Sequence, residues 1–161
     1  MIISSGRLDD PRVVGLLRLH LAAMHAHSPP GTVHALDLSA LKQPDVSFFT
    51  AWEDEELLGC GALRRLSDAH GEIKSMRTSP RHVRKGVAAS LLRHMIGVAR
   101  QRGYRRVSLE TGSGEPFESA IALYAGFGFV KGDPFGEYVA GDFNQFFHLD
   151  LPSTDPVRAA P

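Results

Sequence analysis

The feature that most constrains this chain is a change of hydrophobic period at Val46. Before it, Asp9-Asp10-Pro11 supplies an N-cap and a proline at the first helical position, and Val14, Leu17, Leu21 and Met24 follow at helical spacing. That predicts an amphipathic helix ending before Ser28-Pro29-Pro30-Gly31. After it the period is two. Val46 to Trp52 and Leu57 to Leu63 read as strands of a hairpin, with Glu53-Asp54-Glu55-Glu56 as the turn. A chain that passes from helix to paired strands must cover a sheet with helices.

The remaining elements extend that pattern. Ile2-Ile3 reads as a short first strand, and His34 to Leu41 as a second helix stopped by Pro44. Glu72 to Thr78 reads as a strand, and a helix follows from about Gly86 with Val87, Leu91, Leu92, Met95 and Ile96 on one face. Val107 to Glu110 is a strand, Pro116 to Gly126 a helix, Phe127 to Val130 the start of a strand, and Phe146 to Leu151 the last strand. No repeat or linker divides the chain, so the expectation is one domain over 1–151 and a disordered tail over 152–161. The fold class is α/β (α+β): a mixed, mostly antiparallel central sheet flanked by helices.

Charge narrows the function. Eighteen Lys and Arg balance eighteen Asp and Glu. That argues against nucleic acid as the main partner, which a basic surplus would serve. The single cysteine, Cys60, excludes an internal disulfide, and no metal-ligand spacing of Cys and His is present. No apolar run is long enough for a bilayer span, and the first residues lack a signal-peptide pattern, so a soluble cytoplasmic protein with no membrane partner is expected.

The segment Arg81-His82-Val83-Arg84-Lys85-Gly86-Val87-Ala88-Ala89-Ser90 carries the strongest chemical signal. It is a basic loop that becomes a helix through glycine and small residues. A helix start offers unpaired backbone N–H groups and partial positive charge, a combination that suits phosphate. Gly86 and Ala88 leave room for close backbone approach, and Arg84 and Lys85 add formal charge. The same pattern also fits a solvated basic turn capping an ordinary helix. It is neither a P-loop nor a dinucleotide fingerprint, since the required Gly-Lys-Ser/Thr and the later glycines are absent.

Around this loop the chain resembles the GNAT superfamily of N-acetyltransferases. Val83-Arg84-Lys85-Gly86-Val87-Ala88 occupies the frame of that family's Arg/Gln-x-x-Gly-x-Gly/Ala motif, with Val83 in place of the first Arg or Gln and Arg81 or Arg84 as substitutes. Gly71 to Thr78 looks like its central strand, and Ala120-Ile121-Ala122-Leu123-Tyr124-Ala125-Gly126-Phe127-Gly128-Phe129 resembles its A-I-x-L-Y-x-x-x-G-F signature. Phe117 stands where that family often has Asn. The run from His34 through Ser113 is similar to a bacterial subgroup, some members of which are named for indole-3-acetic acid.

The resemblance implies acetyl-CoA as co-substrate and a set of roles. Met76 and Thr78 would offer backbone groups to pantetheine, and Arg84, Lys85, Gly86, Val87, Ala88 and Ala89 would hold the pyrophosphate. An alkylammonium has a pKa of about 10, so transfer needs a base or a water relay. Glu72 is the candidate base and Tyr124 the candidate acid for the leaving thiolate. Glu110 is a second base or an anchor for a cationic acceptor, and His25, His27 and His34 would line the acceptor side. No metal is implied. Cys60 and Trp52 are expected in the core. The expected acceptor is a small-molecule primary amine; a protein lysine or N-terminus, or acyl-CoA sensing without catalysis, are the alternatives, and a homodimer is compatible with all three.

Overall fold

The computed structural model describes residues 1–153; positions 154–161, most of the segment expected to be disordered, lie outside the described residues. Seven strands form one sheet in the order β1-β2-β3-β4-β5-β7-β6. They are β1 Ile2–Ser5, β2 Val46–Glu53, β3 Glu56–Ser67, β4 His70–Thr78, β5 Arg106–Thr111, β6 Val130–Gly132 and β7 Gln145–Asp150. The helices are α1 Pro11–His27, α2 Leu38–Leu41, α3 Val87–Gln101 and α4 Glu115–Gly126. β4 pairs with β5 in parallel, whereas β1–β2, β2–β3, β5–β7 and β6–β7 are antiparallel. This is the mixed, mostly antiparallel sheet flanked by helices that the sequence predicts.

The described chain condenses into two compact units, Met1–Arg64 with Ile73–Met95, and Arg65–Glu72 with the chain from Ile96 onward. In the first, Asp10 caps α1 by accepting from the Arg12 N–H at 2.9 Å, as its sequence requires. The buried stripe of α1 is Val13, Leu16, Leu17 and His20, one step around from the predicted Val14, Leu17, Leu21 and Met24. Its apolar members, Val13, Leu16 and Leu17, pack with Leu41, Phe48, Trp52, Cys60 and Ala62 in one cluster. Aliphatic spacing alone could not reveal that His20 belongs to this stripe.

The second helix is shorter than predicted. Only Leu38–Leu41 is helical, because Asp37 caps it by accepting from the Ala40 N–H at 2.8 Å. His34 therefore lies in the preceding coil. The hairpin turn contracts to Asp54 and Glu55, with Asp54 at φ 53°, and β3 continues to Ser67. Beside β3, Gly59 and Gly61 permit a close approach. A Cβ on Gly59 would lie 2.9 Å from the Arg77 carbonyl oxygen and from Val87 Cγ1; one on Gly61 would lie 2.7 Å from Met76 Sδ.

In the second unit, β5 buries Val107, Ser108 and Leu109, and β7 buries Phe146 and Phe147. Phe127 to Phe129 are not strand residues: the Phe127 N–H bonds the Leu123 and Tyr124 carbonyls, closing the end of α4, and β6 begins only at Val130. Aromatic rings fill the turn between β6 and β7, where Phe135 meets Tyr138, Phe146, His148 and His70 with centroids 5.1 to 6.0 Å apart.

Candidate active site

The first unit carries the predicted phosphate loop. Ser79 donates its N–H to the Leu58 carbonyl at 2.8 Å, tying the end of β4 to β3, and a 3-10 turn spans Pro80–His82. Val83 is exposed, so the position where the motif would have Arg or Gln faces solvent. Arg84 and Gly86 both adopt positive φ, 62° and 80°. Gly86 takes that conformation without a Cβ penalty, whereas Arg84 holds it at a cost of about 1 kcal/mol or more. The first turn of α3 closes with the Ser90 N–H on the Gly86 carbonyl at 3.0 Å. The N–H groups of Val87, Ala88 and Ala89 thus belong to the first helical turn and have no acceptor within the helix. Nothing lies within 4 Å of the Cβ position on Gly86. An open, basic helix start of this kind fits a pyrophosphate.

Upstream on β4, Met76 and Thr78 are half-buried. Between Lys74 and Met76 the strand is irregular. Ser75 has φ 54°, its buried hydroxyl has no hydrogen-bond partner, and its carbonyl receives the Cys60 Sγ–H at 3.5 Å. A left-handed residue inside a strand breaks the pleat and redirects the backbone groups that follow.

The second unit holds both candidate carboxylates. Glu72 is 1% exposed. Tyr138 donates its hydroxyl to Glu72 Oε2 at 2.5 Å. Glu110 accepts from Asn144 Nδ2 at 2.9 Å. One segment, the turn between β6 and β7, therefore grips both acids. In register, Glu72 pairs with Ser108 and Ser108 with His148, a polar row across three strands. Ser108 Oγ lies 2.6 Å from His70 Nε2 and 2.7 Å from His148 Nδ1, and His148 Nε2 donates to the Asp133 carbonyl at 2.8 Å. Those partners give the chain one polarity, from His70 through the Ser108 hydroxyl to His148. Burial, then Arg106 and His148, hold His70 below the usual histidine range, against the pull of Glu72. Tyr124 is buried in α4, its ring 5.8 Å from Phe129.

The histidines divide. His25 and His27 are exposed in the last turn of α1, and His34 is exposed in the coil after it. His20 is buried and accepts from Arg77 Nε at 3.0 Å; burial, then Arg77 and Lys74, push its pKa down to about 4. Cys60 is fully buried, and burial pushes its thiol up to about 12. Among the described residues no three His, Cys, Asp or Glu side chains come together as a metal site, and no helix is long and apolar enough to cross a membrane.

Tyr138 and Asn144 carry no signal in the sequence, and His82 and Glu56 enter it only as members of the basic loop and of the hairpin turn. Tyr138 lies 66 positions from Glu72 and Asn144 lies 34 from Glu110. No local spacing connects such pairs.

Residues 8–129 match the family model described as the acetyltransferase (GNAT) family. The chain belongs to that family. As a member it is an acetyl-CoA-dependent N-acetyltransferase. It is 51% identical over 138 residues to the uncharacterized N-acetyltransferase YsnE of Bacillus subtilis (strain 168), covering 86% of this chain and 91% of the relative. It is also 34% identical over 124 residues to the IAA acetyltransferase of Azospirillum brasilense, covering 76% and 80%. Among solved GNAT folds, a Klebsiella pneumoniae protein assigned to the acyl-CoA N-acyltransferases superposes with a TM-score of 0.78 at 26% identity, covering 93% of this chain and 97% of that one. A GNAT acetyltransferase from Elizabethkingia anophelis, solved with acetyl-CoA bound, has the same fold at a TM-score of 0.68 and 18% identity, with 93% and 97% covered.

Proposed function

We propose that this acetyltransferase passes the acetyl group of acetyl-CoA directly to the primary amine of a small molecule. Acetyl-CoA supplies an activated thioester carbonyl, and the chain's own residues bind, orient and move protons. The first-turn N–H groups of Val87, Ala88 and Ala89, with Arg84 and Lys85, take the pyrophosphate, and Gly86 leaves the backbone open to it. Met76 and Thr78 offer main-chain groups to pantetheine. Glu72 removes a proton from the acceptor ammonium, directly or through water. As the new N–C bond forms and the C–S bond breaks, Tyr124 gives its hydroxyl proton to sulfur. Glu110 anchors a cationic acceptor, with His25 and His34 at its edge. This reading takes residues 1–151 as one catalytic domain.

The observation that carries the proposal is the burial of Glu72 on β4 with its Oε2 fixed by Tyr138. A carboxylate held in one rotamer is suited to repeated proton abstraction. The Cys60 thiol supports direct transfer: at about 12 it remains protonated at neutral pH and makes a poor acyl acceptor.

The test is a thiol-release assay with acetyl-CoA against arylalkylamines, polyamines, amino acids, lysine peptides and indole-3-acetic acid. Turnover of a small amine that collapses in Glu72→Gln and Tyr124→Phe is the expected result. Turnover of peptides alone would move the acceptor to protein lysine. Tight acetyl-CoA binding with no turnover on the panel would point to a sensor and overturn the proposal.

A further inference from the structure

The phosphate loop is short and irregular, yet it holds two positive-φ residues within three positions. Something outside the loop must keep it in that shape. His82 stands at its base, only 8% exposed, at the end of the Pro80–His82 turn. Its two ring nitrogens make two different contacts. Nε2 lies 2.8 Å from Glu56 Oε1, and Nδ1 lies 3.5 Å from Lys85 Nζ. An ammonium can only donate, so Nδ1 is the acceptor and Nε2 carries the proton that goes to Glu56. The result is an ordered chain: Lys85 donates to His82, and His82 donates to Glu56.

Each end of that chain is anchored differently. Glu56 is the first residue of β3, rigid by its place in the sheet. Chiefly the hydrogen bond from His82 keeps its carboxyl below the usual range and therefore ionised, and the positive charges of Arg81 and Lys85 add to this. Arg81 adds a weaker tie to Glu56 at 3.5 Å. Lys85 lies next to Gly86 and the first turn of α3. An imidazole between a carboxylate and an ammonium is polarised by both, which strengthens both contacts.

We infer that His82, fixed by Glu56, is a positioning residue for the CoA pyrophosphate: it holds the Arg84–Gly86 backbone and aims Lys85. The inference rests on the reading that this loop binds the pyrophosphate. His82 acts through the loop and does not touch the phosphates. Its contribution is to remove, before binding, conformational freedom that the loop would otherwise lose on binding.

Calorimetric titrations with CoA and with pantetheine, which lacks the pyrophosphate, test this on the full chain. His82→Leu weakens CoA about tenfold, the order expected for losing one hydrogen bond to a charged group, and leaves pantetheine within about twofold. His82→Gln, which keeps a donor near the Nε2 position, restores most of the affinity. Should His82→Leu fail to fold, Glu56→Gln on the exposed side of the link weakens CoA by about threefold. CoA affinity unchanged in both His82→Leu and Glu56→Gln overturns the inference. Equal losses for CoA and pantetheine, or no recovery with Gln, also overturn it, because they mark a general structural defect. Gly86→Glu separates this from the underlying reading: undiminished CoA binding by that variant would show that the loop is not the pyrophosphate site at all.

Discussion

The loop from Pro80 to Ala89 and the carboxylates Glu72 and Glu110 are built by opposite means. The loop works through its backbone: two positive-φ positions, a helix start and small residues, all within ten consecutive positions. The carboxylates work through side chains whose partners are far away in sequence, Tyr138 for Glu72 and Asn144 for Glu110. A backbone site tolerates exchange of many side chains provided the glycine stays. A side-chain site is fixed by each partner separately. Substitutions in the two regions should therefore fail in different observables, affinity in the first and turnover in the second.

The largest effect tests the side-chain region. Glu72→Gln should lower kcat by roughly a hundredfold to ten-thousandfold, the span of a general base, while the Kd for acetyl-CoA stays within about twofold. Steady-state kinetics alongside calorimetry separates the two. A loss confined to affinity would erase the contrast between the regions.

Next in size is the packing of β3 beneath the loop. A Cβ at Gly59 meets the Arg77 carbonyl, a backbone atom, and Val87 Cγ1 at the start of α3, both at 2.9 Å. A Cβ at Gly61 meets the flexible thioether ends of Met76 and Met95. Gly59→Ala should cost about 1–3 kcal/mol in denaturant unfolding, and Gly61→Ala less, since methionine can turn aside. Equal costs would mean that β4 and α3 yield as readily as a side chain does.

These cases also explain what was legible in the sequence. The helix start at Gly86 could be read because glycine, small residues and basic charge adjoin in the chain, and the Asp10-Pro11 cap was legible for the same reason. The second helix was overextended because alanine and leucine from Ala35 onward favour helix, while Asp37 supplies a cap three residues after the predicted start. The strand predicted at Phe127 failed because Gly128 at φ 96° and the bonds onto α4 end a helix there. Glu72 could be named through the family resemblance of its strand, but its hold by Tyr138 had no signal in the sequence. The sheet brings those two together only after β5, α4 and β6 have been laid down.

A smaller change probes that hold. Tyr138→Phe removes the hydroxyl and keeps the ring against Phe135 and Phe146. Turnover should fall about tenfold, equivalent to one hydrogen bond to a charged acceptor, with CoA affinity unaltered. In a Glu72→Gln background the same change should have little further effect, because both act on one step. Full multiplicative losses would mean that Tyr138 acts independently of Glu72.

The last prediction, small near neutral pH, concerns the first unit alone. His20 is buried against Arg77 with its pKa lowered to about 4, whereas the unfolded chain titrates near 6.5. Between those values the unfolded state binds more protons, so stability rises with pH across the window and is lost as pH falls through it. A shift of this size bounds the loss at about 3 kcal/mol near pH 4, and much less at pH 6. Urea midpoints at pH 7, 6, 5 and 4 should decline more steeply for the wild type than for His20→Leu, whose apolar side chain has no proton to gain. Parallel slopes would place the acid sensitivity elsewhere. That result would leave the buried His20–Arg77 contact a matter of packing alone, and its ring would then be replaceable by any side chain of similar volume.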